Sequence, residues 1–142
     1  MTEKRVPVEV KGVFYFKDDQ QAEWFYLQFA DEAKRDIRIF IGQFEAWAIQ
    51  LGLEDKPLER PLTYDTMINC LAVAGATVEE AYIHELRAEI FYAVVNLRVG
   101  DQVHQIDMRP SDAVNLAVRM KCPLLINEEV IQAWLSRQSS ME

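Results

Sequence analysis

The chain has 142 residues, with 15 Lys and Arg against 23 Asp and Glu and a formal net charge of -8. At 50% hydrophobic and 27% charged residues it is too apolar for disorder, and no long uncharged apolar run offers a membrane span. The acidity excludes tight, field-driven binding to a phosphate backbone, because cutting the chain at Glu59/Arg60 leaves both halves net acidic.

A folded monomer of this mass exposes about 7,500 Å² and holds one core. One domain over residues 1–136 is expected, followed by a polar tail over 137–142. The start lacks the apolar run of a signal peptide, which makes the cytoplasm the expected compartment. Cys70 and Cys122 are too few for a disulfide scaffold and have no metal-spaced partners, so both read as small packed hydrophobes.

From Val6 to Ile41 the pattern has period two. It predicts three strands joined at Lys17 to Gln20 and at Asp31-Glu32. At Gly42 the period turns helical, with Phe44, Trp47, Ala48 and Leu51 on one stripe that ends near Gly52. A polar loop, Glu54 to Glu59, leads to a second helix that Thr63 can cap and Gly75 stops. Two strands follow, and Gly100-Asp101 makes a hairpin turn into Gln102 to Met108. Pro110 fits the first position of a third helix, which Cys122-Pro123 breaks. Leu124 to Ile126 reads as a buried strand, and Asn127 can cap a last helix from Glu128 to Leu135. The fold class is α+β, a mostly antiparallel sheet packed with about four helices.

Two helix starts look alike, Arg60-Pro61-Leu62-Thr63-Tyr64-Asp65 and Asp107-Met108-Arg109-Pro110-Ser111-Asp112-Ala113. A helix N-terminus offers free N–H groups and a partial positive charge, so Arg60 or Arg109, aided by Thr63 or Ser111, can hold a phosphate even on an acidic chain. The same residues serve equally well as caps, with Asp112 reaching back to a cap N–H and Asp65 complementing a dipole. Asp65, Asp107, Asp112 and Glu45 are the carboxylates placed for catalysis, with Asp65 and Asp107 as ligands for Mg²⁺ or Mn²⁺ if they converge. His84 is a candidate for proton transfer, whereas His104 reads as a half-buried, hydrogen-bonded sheet residue. No Gly-rich phosphate loop, nucleophile elbow or HExxH motif occurs.

The aromatic run Trp24-Phe25-Tyr26 can stack single-stranded bases, but no basic residue interleaves it from Glu23 to Ala33. Core on one face and a subunit interface on the other fits better, so a dimer or trimer is expected.

Several stretches resemble the bifunctional nuclease (DUF151) domain proteins of bacteria and plants: Ile39-Phe40-Ile41-Gly42 with Glu45-Ala46, Arg60 to Asp65, Ile83-His84 with Phe91-Tyr92-Ala93, and Asp107 to Ala113 with Leu116-Ala117. The resemblance runs in order from about Val6 to Val130. It implies a self-associating α+β domain and, from the plant members, a nuclease acting on DNA and RNA; the acidity of this chain makes any such contact weak and transient. Its motif positions here are Glu45, Arg60, Thr63, Asp65, His84, Asp107, Arg109, Ser111 and Asp112. Where the family commonly has Thr-His-Asp this chain has Thr63-Tyr64-Asp65, and a tyrosine of ordinary pKa near 10 is a poor base at neutral pH. Two functions follow as expectations: broad-specificity phosphodiester hydrolysis, or a non-catalytic oligomeric module that binds a small anionic ligand or a protein.

Overall fold

Two sheets divide the strands of this computed structural model, which describes residues 3–140. The smaller is an antiparallel meander of β2 (Glu9–Lys17), β3 (Glu23–Ala30) and β4 (Asp36–Ile41). The larger has five strands in the order β1-β8-β5-β6-β7, from β1 (Arg5–Pro7), β5 (Ala76–Arg87), β6 (Ile90–Val99), β7 (Gln102–Met108) and β8 (Leu124–Asn127). All neighbours pair antiparallel except β5 and β8. The expected α+β class is therefore observed, with the sheet split in two. The split begins in the first expected strand: Val6 pairs with Ile126 of β8, whereas Val10 pairs with Phe29 of β3. Pro7 sits on the edge strand β1, where its missing donor does no harm.

Four helices close the core: α1 (Gln43–Glu54), α2 (Thr63–Val73), α3 (Pro110–Met120) and α4 (Glu128–Ser140). Leu27, Phe29 and Ile37 from the small sheet, Ile83 and Val95 from the large one, and Leu116 of α3 are fully buried in one cluster. Alternation along β6 buries Ala93 and Val95 against the helices, while Val94 turns to the other side.

Several boundaries differ from the sequence expectation. Helix α1 does not end at Gly52 but runs to Glu54 and stops at Asp55, which is left-handed at φ 55. Gly52 instead marks where α1 lies against α3, since a Cβ there would come within 2.8 Å of Val118 Cγ2. Thr63 is the first helical residue of α2, not its cap; Leu62 holds the cap position. Asn127 does cap α4, its Oδ1 accepting the Glu129 N–H at 2.7 Å. That helix continues to Ser140, through most of the expected polar tail. Cys70 is exposed rather than packed, because α2 turns that side to solvent, and Cys122 is half-buried. His104 is exposed too, on β7 at the edge of its sheet. The Gly100-Asp101 hairpin forms as expected, with Gly100 at φ 61.

Candidate functional site at three helix starts

Glu45, Asp65 and Asp112 each occupy the third position of a helix, on α1, α2 and α3 respectively. An acid there complements the partial positive charge of the helix terminus, which accounts for its recurrence. Only Asp65 completes the capping arrangement, accepting the Leu62 N–H at 2.9 Å.

Asp112 does not reach back to a backbone donor. Arg109 grips it with two hydrogen bonds, Nε to Oδ2 at 2.8 Å and Nη2 to Oδ1 at 2.9 Å. The Tyr64 hydroxyl donates to the same Oδ1 at 2.6 Å, joining α2 to α3. Arg109 Nη2 also reaches Glu45 Oε1 at 3.4 Å, so the starts of α1, α2 and α3 meet in one charged cluster. Burial raises the Asp112 carboxyl, but the bonds from Arg109 and Tyr64 outweigh it and hold the group below its ordinary value. Burial, then the bond to Asp112, pushes the Tyr64 hydroxyl well above its ordinary pKa. Tyr64 is therefore a permanent donor and not a base. Its ring stacks on Phe44 of α1 with centroids 6.2 Å apart.

A second network lies about two turns further along α3, centred on Arg119. The Arg119 side chain, 9% exposed, donates from Nε to Asp65 Oδ1 at 2.9 Å, from Nη1 to Asn115 Oδ1 at 2.9 Å and from Nη2 to the Ala48 carbonyl at 3.1 Å. Asn115, fully buried, donates to the Ser111 carbonyl at 2.9 Å. Burial raises the Asp65 carboxyl, and the Leu62 N–H and Arg119 more than reverse that. Beside this network an open cleft of about 540 Å³ runs between the end of α1 and α2, bordered by Leu51, Leu58, Pro61, Asp65, Asn69 and Arg119.

The structure thus brings Glu45, Asp112 and Arg109 together and links Asp65 to Arg119. It does not bring in the other expected site residues. Asp107 pairs with Val94 across β6 and β7, which turns it to the sheet face away from the helices. No hydrogen bond or ion pair joins His84 to the cluster; it lies on β5 with its ring 6.1 Å from that of Tyr82. Arg60 and Thr63 are exposed, and Ser111 is buried inside the first turn of α3. As a Mg²⁺ or Mn²⁺ centre the donor set does not fit. Asp65 and Asp107 stand on different elements with no shared partner, Asp65 and Asp112 are held by arginines, and no three His, Cys, Asp or Glu among the described residues gather as a metal needs. Sequence reasoning missed Asn115 and Arg119; their signal was a polar pair four residues apart on a helix otherwise rich in apolar residues.

Fold and site together define an α+β domain whose charged centre is built from helix starts brought together by Arg109. The Bifunctional nuclease domain family matches residues 27–138, and the chain belongs to that family. It is 35% identical over 97 residues to an uncharacterized protein of Mycobacterium tuberculosis, a match covering 68% of this chain and 57% of that one. It is 26% identical over 107 residues to Bifunctional nuclease 2 of Oryza sativa subsp. japonica, covering 73% of this chain and 33% of the rice protein. Bifunctional nuclease 2 of Arabidopsis thaliana is 26% identical over 95 residues, covering 65% and 29%. The chain therefore spans rather more than half of the mycobacterial relative and about a third of the plant ones. Among the described residues no helix is long and apolar enough to cross a membrane.

Proposed function

We propose that the chain is a weak, broad-specificity phosphodiesterase acting on DNA and RNA. The observation that carries this reading is the posture of Arg109, whose side chain is 64% exposed although Asp112 and Glu45 hold it at the start of α3. A guanidinium fixed in this way keeps outward N–H groups for a non-bridging phosphate oxygen, and the helix terminus adds to its charge. Asp112 and Tyr64 are positioning residues that set its angle. Glu45 is the least committed of the three first-turn acids, with a single 3.4 Å contact to Arg109. Glu45 takes the proton from a water that attacks phosphorus; the P–O bond to the leaving strand breaks and the alkoxide is protonated from solvent. Membership of a family whose plant relatives carry the name bifunctional nuclease supports the reaction class.

The test uses highly purified full chain on single- and double-stranded DNA and RNA, with EDTA, Mg²⁺ and Mn²⁺ as separate arms. Glu45→Gln is expected to lower cleavage about 100-fold, and Arg109→Ala by about the same factor. Both should remain folded by circular dichroism. Equal cleavage by the parent and both variants refutes these roles. Activity should depend only shallowly on salt, because one arginine neutralises about one phosphate and the net charge of -8 adds no long-range attraction for salt to screen.

A second reading, a non-catalytic module for a small phosphate-bearing ligand, is favoured by the commitment of Asp65 and Asp112 to arginine and by the cleft beside Asp65. It prevails if the pure protein cleaves nothing while such a ligand raises the melting temperature.

A further inference from the structure

Helix α1 carries two large rings on its open side. Its buried positions are Ala46, Ala48 and Ile49, whereas Phe44 and Trp47 stay 43% and 48% exposed. The two rings stand one turn apart with centroids at 6.2 Å and planes inclined at 59°, so they frame an open corner rather than a closed pair. Phe44 is fixed from behind. Its ring stacks on that of Tyr64 at 21°, and the Tyr64 hydroxyl donates to Asp112, the carboxylate that Arg109 grips. Phe44 also directly precedes Glu45, the α1 residue that Arg109 touches. Rings and guanidinium therefore belong to one tied assembly, in which Arg109, Asp112, Tyr64, Phe44 and Trp47 each contact the next.

Resting on the phosphodiesterase reading, we propose that Phe44 and Trp47 stack one unpaired base beside the phosphate held by Arg109, which makes them the residues that select single-stranded over double-stranded substrate. Stacking is an uncharged contact open to every base, so it supplies affinity that a chain of net charge -8 cannot draw from counterion release. It also discriminates. A base inside a duplex has both faces covered by its neighbours and offers only its edge, whereas a base of a single strand can swing out onto a ring. Past Trp47 the same side of α1 continues to Leu51, which borders the open cleft of about 540 Å³ together with Leu58, Asp65 and Asn69, so the strand leaving the corner meets open space. A protein partner fits less well. The two rings expose roughly 200 Å² together, far below the about 800 Å² that one side of a standard protein interface buries.

Binding is measured with a phosphorothioate strand that resists cleavage, which separates the rings from the chemistry. The full chain should bind the single strand at least about 10-fold more tightly than the same sequence as a duplex. Trp47→Ala is expected to remove about that factor and bring the two affinities together, while Trp47→Phe keeps most of it, since a phenyl ring still stacks. Hydroxyl-radical footprinting of the unmutated chain gives a readout independent of any variant's folding. With the single strand bound, Phe44 and Trp47 become protected, while Phe14 and Trp24 of the small sheet, exposed at 43% and 46%, do not. Equal affinity for single strand and duplex overturns the proposal, as does a bound strand that leaves the two rings unprotected; if cleavage persists in either case, the phosphodiesterase reading stands without the stacking. Protected rings with no cleavage by the parent chain sink that reading and support the stacking as a binding site for single strands. Protection of Phe44 and Trp47 by rising protein concentration alone overturns the proposal in favour of a protein interface.

Discussion

Arg60-Pro61 and Arg109-Pro110 open the same kind of helix with the same kind of acid a few residues on, yet the fold uses them in opposite ways. Arg109 is the cap residue of α3, directly before Pro110 at the first helical position, and its guanidinium folds onto Asp112 three residues later. Arg60 lies two residues before the Leu62 cap and is exposed. Asp65 therefore takes its cation from elsewhere, from Arg119 on α3. The two-residue difference in where the proline falls decides which arginine becomes part of the site.

The comparison breaks most visibly at Arg119. Arg119→Ala strands the partners of a nearly buried cation, and we expect a loss of about 3 kcal/mol in urea unfolding, with Asp65→Asn losing less. A stability loss below half that value means the second helix start does not depend on α3. Tyr64→Phe deletes the bridge between the two starts with almost no change of shape. It should lose about 2 kcal/mol and lower cleavage by disturbing Arg109, although the hydroxyl meets no substrate. Next in size is the direct contrast of the two arginines. Arg109→Ala should destabilise by about 1 kcal/mol at most, since the Arg109 side chain is largely exposed and Tyr64 still donates to Asp112, and Arg60→Ala by less than about 0.5 kcal/mol; equal effects erase the distinction.

Acid titration sharpens the same contrast with the smallest expected effect. The Asp65 and Asp112 carboxyls lie below their ordinary value in the folded chain. Their contribution is complete above the unfolded pKa, near 4, and is lost as pH falls through the lowered folded values. Glu128, pulled down to about 2 chiefly by its hydrogen bonds from Arg35, behaves alike at the start of α4. Between about pH 5 and pH 3 the unmutated chain should lose more stability than Asp65→Asn, measured by urea midpoints.

Much of the fold was legible in the residues. Alternation in β3, β4 and β6 separates buried from exposed positions, and Pro110, Gly100 and Asn127 act where their backbone chemistry places them. The helix starts were legible as well, but the bond to a cap N–H expected of Asp112 is made by Asp65 instead. Partners across the chain were not. Tyr64 and Asp112 are 48 residues apart and Asp65 and Arg119 are 54 apart, so no local spacing announces either bond. Gly52 read as a helix end because glycine commonly ends helices, whereas here it lets α3 approach.

By itself the sequence determined the α+β class, the number of helices, family membership and the three acids at helix starts, because local hydrogen bonding and side-chain periodicity act within a few residues. Only the tertiary structure decided that Glu45, Asp112 and Arg109 form one cluster, that Asp107 and His84 stand outside it, and that Tyr64 is a tied donor. Those outcomes depend on which side of a strand or helix faces a distant element, and that is set by how the two sheets and α1, α2 and α3 pack together around the common core.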